Sequence, residues 1–158
     1  MNRIIVAAFI VLAAHTSPSL AECGNAASYL TRAQVNTILR GNFACGRSTA
    51  VNAPGWNERH RADSTLVETH GGGAADDEIV GNWTTANVSG RGRVTYAYTG
   101  GVTPVYEVAV ATGNCITPAC TTLPQTYQFC GVGGGAPAIL NILVTETRQN
   151  LSGCPINP

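Results

Sequence analysis

Gly81 to Ala111 reads G-N-W-T-T-A-N-V-S-G-R-G-R-V-T-Y-A-Y-T-G-G-V-T-P-V-Y-E-V-A-V-A. Apolar and polar residues alternate through Val94, Tyr96 and Tyr98, and again through Tyr106, Val108 and Val110. Alternation with a period of two marks a strand with one buried face. Breaks at Ser89-Gly90 and Gly100-Gly101 divide the stretch into three strands of an antiparallel meander. A turn on Gly100-Gly101 alone would set Tyr96 against Val105 and Val94 against Glu107. A loop from Gly100 to Val102 sets Tyr96 against Tyr106 and Val94 against Val108. The second register matches apolar faces and is the one expected.

Further strands lie on both sides of the meander. Phe43–Arg47 carries Cys45. Trp56–Arg61 and Thr65–His70 form a hairpin around Ala62-Asp63-Ser64. Thr126–Gly131 and the β-branched run Ile139–Thr145 follow a long connection and the Gly133-Gly134-Gly135 break. The total is about eight short strands, mostly antiparallel neighbours. That number closes into a small up-and-down barrel with no free edge; a two-sheet sandwich is the alternative. One short helix precedes them, over Thr31 to Arg40. Thr31 and Gln34 make a capping box, Leu30 and Val35 a hydrophobic staple, and Gly41 ends it. A helix this short is unstable alone, so it lies on the sheet or plugs one end.

The chain opens M-N-R, then an apolar run from Ile4 to Ala14, then a small-x-small end at Ser19-Leu20-Ala21. This pattern is that of a secretory signal peptide over residues 1–21, leaving 22–158 as a single barrel domain. The run falls short of the ~20 residues that span a bilayer, and no later stretch qualifies, so no membrane insertion is expected. Glu22 before Cys23 spoils a lipobox. The six cysteines are Cys23, Cys45, Cys115, Cys120, Cys130 and Cys154. An even number in an exported chain implies disulfides, here three. The pairing expected is Cys115–Cys120, Cys45–Cys130 and Cys23–Cys154; the rival is Cys23–Cys45 with Cys130–Cys154. All nine basic residues are Arg and the net charge is zero. No basic cluster is present to bind nucleic acid or an anionic membrane. The sequons at Asn82, Asn87 and Asn150 matter only in a eukaryotic secretory pathway, and the short leader and Arg-only basic set point to a bacterium.

Trp56, Glu58 and His60 share one face of their strand. A two-residue turn at Asp63-Ser64 would set Arg59 against Glu68, as an outward ion pair, and His60 against Val67. Trp56 marks the buried side, so Glu58 and His60 need partners, in the first instance each other. The ligand-binding candidates are Trp56, Glu58, His60, Trp83 and Tyr96, although buried aromatics are commonly core. Other chemistry lacks support. His70 falls on the opposite face from His60, so a metal site with Glu58 does not assemble. No G-x-S-x-G is present, the glycine triplet lacks the P-loop Lys, and Asp76-Asp77-Glu78 lacks the spacing of a calcium loop. No catalytic residue, metal or cofactor is assigned. The expectation is an exported, non-enzymatic barrel that binds a small molecule or a protein. The alternatives are a small periplasmic enzyme using Glu58 and His60 as acid and base, or an envelope protein with no ligand.

Two resemblances accompany this reading. L-T-x-x-Q-V-x-x-I-L-x-G-N-F-A-C, then W-N-E-R-H-R-A-D, V-G-N-W, V-T-Y-A-Y and Y-Q-F-C, resembles small exported bacterial proteins of unassigned function, which implies a shared fold and no particular activity. Gly81-Asn82-Trp83 resembles the G-x-W of lipocalins, avidins and bacterial metalloprotease inhibitors, all small up-and-down barrels of the calycin type. In those families the motif lies on the first strand. Here it lies on about the fourth, so no ligand residue carries over.

Overall fold

A computed structural model describes residues 23, 29–48, 55–69, 77–110 and 120–157. Residues 1–22, expected as the leader and its junction, and His70, Asp76 and Cys115 lie outside them. Helix α1 is Arg32–Leu39. The strands are β1 (Phe43–Ser48), β2 (Trp56–His60), β3 (Thr65–Thr69), β4 (Asp77–Val88), β5 (Arg91–Tyr98), β6 (Val105–Val110), β7 (Gln125–Gly133), β8 (Ile139–Thr145) and a short β9 (Ile156–Asn157). Each of β1 to β8 pairs antiparallel with the next, and β1 pairs with β8 through Phe43 opposite Thr145. The ring therefore closes as an eight-stranded barrel rather than a sandwich. Val94, Tyr96, Tyr106, Val108, Tyr127, Phe129, Ile142 and Val144 belong to one buried cluster, as their alternation requires.

The helix plugs one end. Thr31 caps it and Gln34 reaches back to the Thr31 N–H at 2.8 Å, so the capping box forms as read. Leu30, Val35, Ile38 and Leu39 are buried in the barrel cluster. Leu30 wedges between strands: its N–H donates to the Val108 carbonyl at 2.8 Å and its carbonyl accepts from Gly92 at 2.6 Å. Gly92 must lack a side chain here, because a Cβ would come within 2.6 Å of Val35. At the far end of the helix, Gly41 donates to the His60 carbonyl and His60 donates to that of Asn42.

Two registers differ from expectation. The β2–β3 hairpin sets Glu58 against Glu68, Arg59 against Val67 and His60 against Leu66, so no Arg59–Glu68 pair forms. The turn has three residues, not two: Arg61 bonds Thr65, Ser64 takes a left-handed φ of 72°, and Asp63 accepts from the Thr65 N–H. The β5–β6 ladder sets Val94 against Tyr106, two residues from the expected position. A shift of two preserves which side chains face inward, so the apolar faces still meet.

The disulfides also differ. Cys23 pairs with Cys130 and Cys45 with Cys154. The expected Cys45–Cys130 bridge fails because β8 lies between β1 and β7. Strands two apart are separated by about 9–10 Å, beyond a disulfide's reach. Cys120 is disulfide-bonded as well, while its expected partner Cys115 lies outside the described residues. Each long-range bridge ties one end of the chain to the barrel. The second brings β9 in parallel beside the end of β1, Arg47 against Ile156 and Ser48 against Asn157.

Candidate functional site

The halves of the strands away from the helix border a half-open cavity of about 420 Å³. It exists because α1 fills only one end of the ring. Its wall is aromatic: Trp56 from β2, Tyr96 and Tyr98 from β5, Tyr106 from β6, and Phe129 from β7. Ala44, Pro137, Leu140 and Ile142 add apolar surface, and Glu58, Ser48 and Asn157 add polar groups. Tyr96 lies 6.1 Å, centroid to centroid, from both Tyr98 and Tyr106, and Tyr106 is edge-on to Phe129 at 5.9 Å. Trp56 stands opposite Gly46 of β1. A Cβ on Gly46 would meet the indole at 2.5 Å, so the glycine gives the ring its place. Asn157 closes the seam between β8 and β1, its amide bonding the main-chain N–H and carbonyl of Asn141.

Trp56, Glu58 and His60 share a face as read, but they sit at different depths. Glu58 is 7% exposed and lines the cavity. His60 is fully buried beneath it and does not line the cavity. The expected contact between the two is replaced by bonds to tyrosines of β5. The Tyr98 hydroxyl donates to Glu58 Oε1 at 2.9 Å, and His60 Nε2 pairs with the Tyr96 hydroxyl at 3.0 Å. His60 also meets the edges of Trp83 and Tyr96 at 5.3 and 5.5 Å. Trp83 is buried, and its Nε1 donates to the Arg61 carbonyl, so it braces the β2–β3 turn rather than the cavity.

Of the five candidates, Trp56, Glu58 and Tyr96 thus meet in the cavity, while His60 and Trp83 form its foundation. Sequence reasoning omitted Tyr98, Tyr106 and Phe129. Tyr98 follows Tyr96 by two residues and Tyr106 shares a face with Val108, so alternation already placed them inside. What the sequence lacked was which buried aromatics border empty space.

Burial governs the ionisable groups. It pushes the Glu58 carboxyl up to about 7, against the Tyr98 hydrogen bond and with the help of the Glu68 charge. It holds His60 neutral, down to about 3, with the main chain of Glu58 and Asn42 opposing. Tyr96 and Tyr98 are raised for the same reason and by the Glu58 charge, and Tyr106 is pushed up to about 12. The imidazole is thus held neutral and lies outside the cavity, whereas the Glu58 carboxyl lines it. Among the described residues no group of three or more His, Cys, Asp or Glu could hold a metal. None of their helices is long and apolar enough to cross a membrane.

The closed eight-stranded ring is compatible with a calycin-type barrel. Its G-x-W lies on β4, not on the first strand where those families carry it. No protein-family model, curated protein or solved structure matches the chain.

Proposed function

We propose that the protein is an exported, non-enzymatic barrel that binds a small molecule in the cavity above His60. The observation that carries this reading is the cavity itself, about 420 Å³ with five aromatic rings and one carboxyl on its wall. It falls in the range of small-ligand sites, and its few polar groups among apolar walls are what orientation of a ligand requires. The acid–base enzyme reading loses its second residue, because His60 lies outside the cavity. Export is supported by the leader-like residues 1–21 and by the disulfides, and the compartment is periplasmic or extracellular.

Titration of the purified disulfide-bonded protein with the uncharged dye N-phenyl-1-naphthylamine tests this. Saturable fluorescence enhancement is expected, lost in Leu140→Trp, which fills the cavity from β8. Equal enhancement by a folded Leu140→Trp protein, or none by wild type, would defeat the reading.

A further inference from the structure

We propose that the ligand is a small organic cation, an ammonium group on a compact apolar or aromatic body. This rests on the small-molecule reading above. The first support is the sign of the wall. Among the described residues Glu58 is the only one on the wall with a side chain that bears charge near neutral pH, and Glu68 of β3 stands opposite Glu58. Among the described residues no Arg or His lines the cavity. Arg59 of the same strand alternates to the outer face and is exposed.

The second support is what the carboxyl lacks. Among the described residues its one hydrogen-bond donor is the Tyr98 hydroxyl, and no cation reaches it. A buried carboxylate without a cation is costly, and elsewhere this chain supplies one: Glu107, also buried, is gripped by Arg91 and Arg93 at 2.9 Å each. The contrast marks Glu58 as a charge whose partner comes from outside.

The third support is the company of rings. Trp56, Tyr96, Tyr98 and Tyr106 border the same space as Glu58. Aromatic faces attract an ammonium and offer an anion nothing comparable. A fatty acid or other carboxylate would meet repulsion from Glu58 and Glu68. Among the described residues the groups facing Glu58 are Glu68 from β3, Tyr96 and Tyr98 from β5, and Tyr106 from β6. None of them supplies a positive charge, and His60 below is held neutral. With Glu58 titrating at about 7, an incoming cation holds it ionised, so binding strengthens as pH rises through that value.

Three probes on one frame test the assignment: 2-phenylethylamine, 2-phenylethanol and 3-phenylpropionate, each titrated calorimetrically. The amine is expected to bind at least about tenfold tighter than the alcohol at pH 8, and the anion weakest. Glu58→Gln should erase the amine's advantage over the alcohol, while Glu58→Asp restores part of it. Lowering the pH from 8 to 5 should shrink the same advantage. Equal or tighter binding of the alcohol or the anion overturns the cation assignment. So does an advantage that survives in Glu58→Gln. If none of the three binds but the naphthylamine dye does, the cation assignment falls and the cavity reading stands. If the dye fails as well, both fall.

Discussion

Glu58 and His60 are two residues apart on one strand, yet burial moves them in opposite senses, with opposite consequences for stability. The folded Glu58 carboxyl holds its proton up to about 7, whereas the ordinary value is 4.5. Between those values the native state binds more protons than the unfolded chain, so this residue lowers stability as pH rises from 4.5 to 7. His60 is the reverse. Its folded value of about 3 lies below the ordinary 6.5, so the native state binds fewer protons between them. Stability from His60 is present above 6.5 and is lost as pH falls toward 3. Removing the Glu58 charge therefore has a definite signature. Glu58→Gln should be increasingly more stable than wild type as pH climbs from 4.5 to 7, with a constant difference beyond, at most roughly 3 kcal/mol. Urea unfolding of both proteins at pH 4.5, 6 and 8 checks it, and a difference that shrinks as pH rises refutes it. The sequence showed that these two side chains share the face of Trp56. It did not show their partners, because those depend on β5 reaching across the barrel. The loss of His60 would orphan the Tyr96 hydroxyl, not Glu58.

At the scale of the elements, legibility followed how local the determinant was. The helix was legible because its caps lie within it: Thr31, Gln34, Leu30 and Val35 are consecutive or one turn apart. The strands were legible because alternation needs only the strand itself, and Ile139–Thr145 forms over the residues read. Registers were less so. The β2–β3 turn adds Ala62 to the expected pair and ends on Ser64 in a left-handed conformation, which a serine does not announce. The β5–β6 register slid by two along a connection with two adjacent glycines, and a slide of two leaves the buried pattern unchanged. Where the helix lands was also hidden, although Gly92 records it. A Cβ there would lie 2.6 Å from a Val35 methyl and 2.7 Å from the Thr31 main chain. A main chain pinned by a cap cannot easily give way, so Gly92→Ala should lift α1 from β5 and cost about 1–3 kcal/mol. Gly133→Ala, on β7, meets no atom within 4 Å and carries no left-handed φ, so it serves as the control. A Gly92→Ala protein as stable as wild type in chemical denaturation would mean that the helix does not sit where Leu30 and Val35 hold it.

For the whole molecule, the number of strands was readable but the path of the two ends was not. Closing the ring decides which strands are neighbours, and that alone excluded the Cys45–Cys130 bridge. The closed ring assigns different tasks to the two long bridges. Cys23–Cys130 and Cys45–Cys154 span 107 and 109 residues, so in the chain-entropy account each stabilises by a similar amount, on the order of 4 kcal/mol. Their positions are not equivalent. Cys130 lies on β7, and its bridge ties the Cys23 arm to that strand. Cys154 holds the segment whose next residues are β9, and β9 places Asn157 in the cavity wall and across the β8–β1 seam. Arg47 reinforces that docking, its N–H donating to the Pro155 carbonyl and its Nε to that of Cys154. Paired serine variants should therefore agree in stability and differ in binding. Cys23→Ser/Cys130→Ser is expected to unfold at lower denaturant yet bind the naphthylamine dye as wild type does. Cys45→Ser/Cys154→Ser should lose a similar amount of stability and also bind the dye several-fold more weakly, because β9 is no longer held against β1. Equal dye affinity in the two folded variants would show that the cavity does not depend on the docked C-terminal strand.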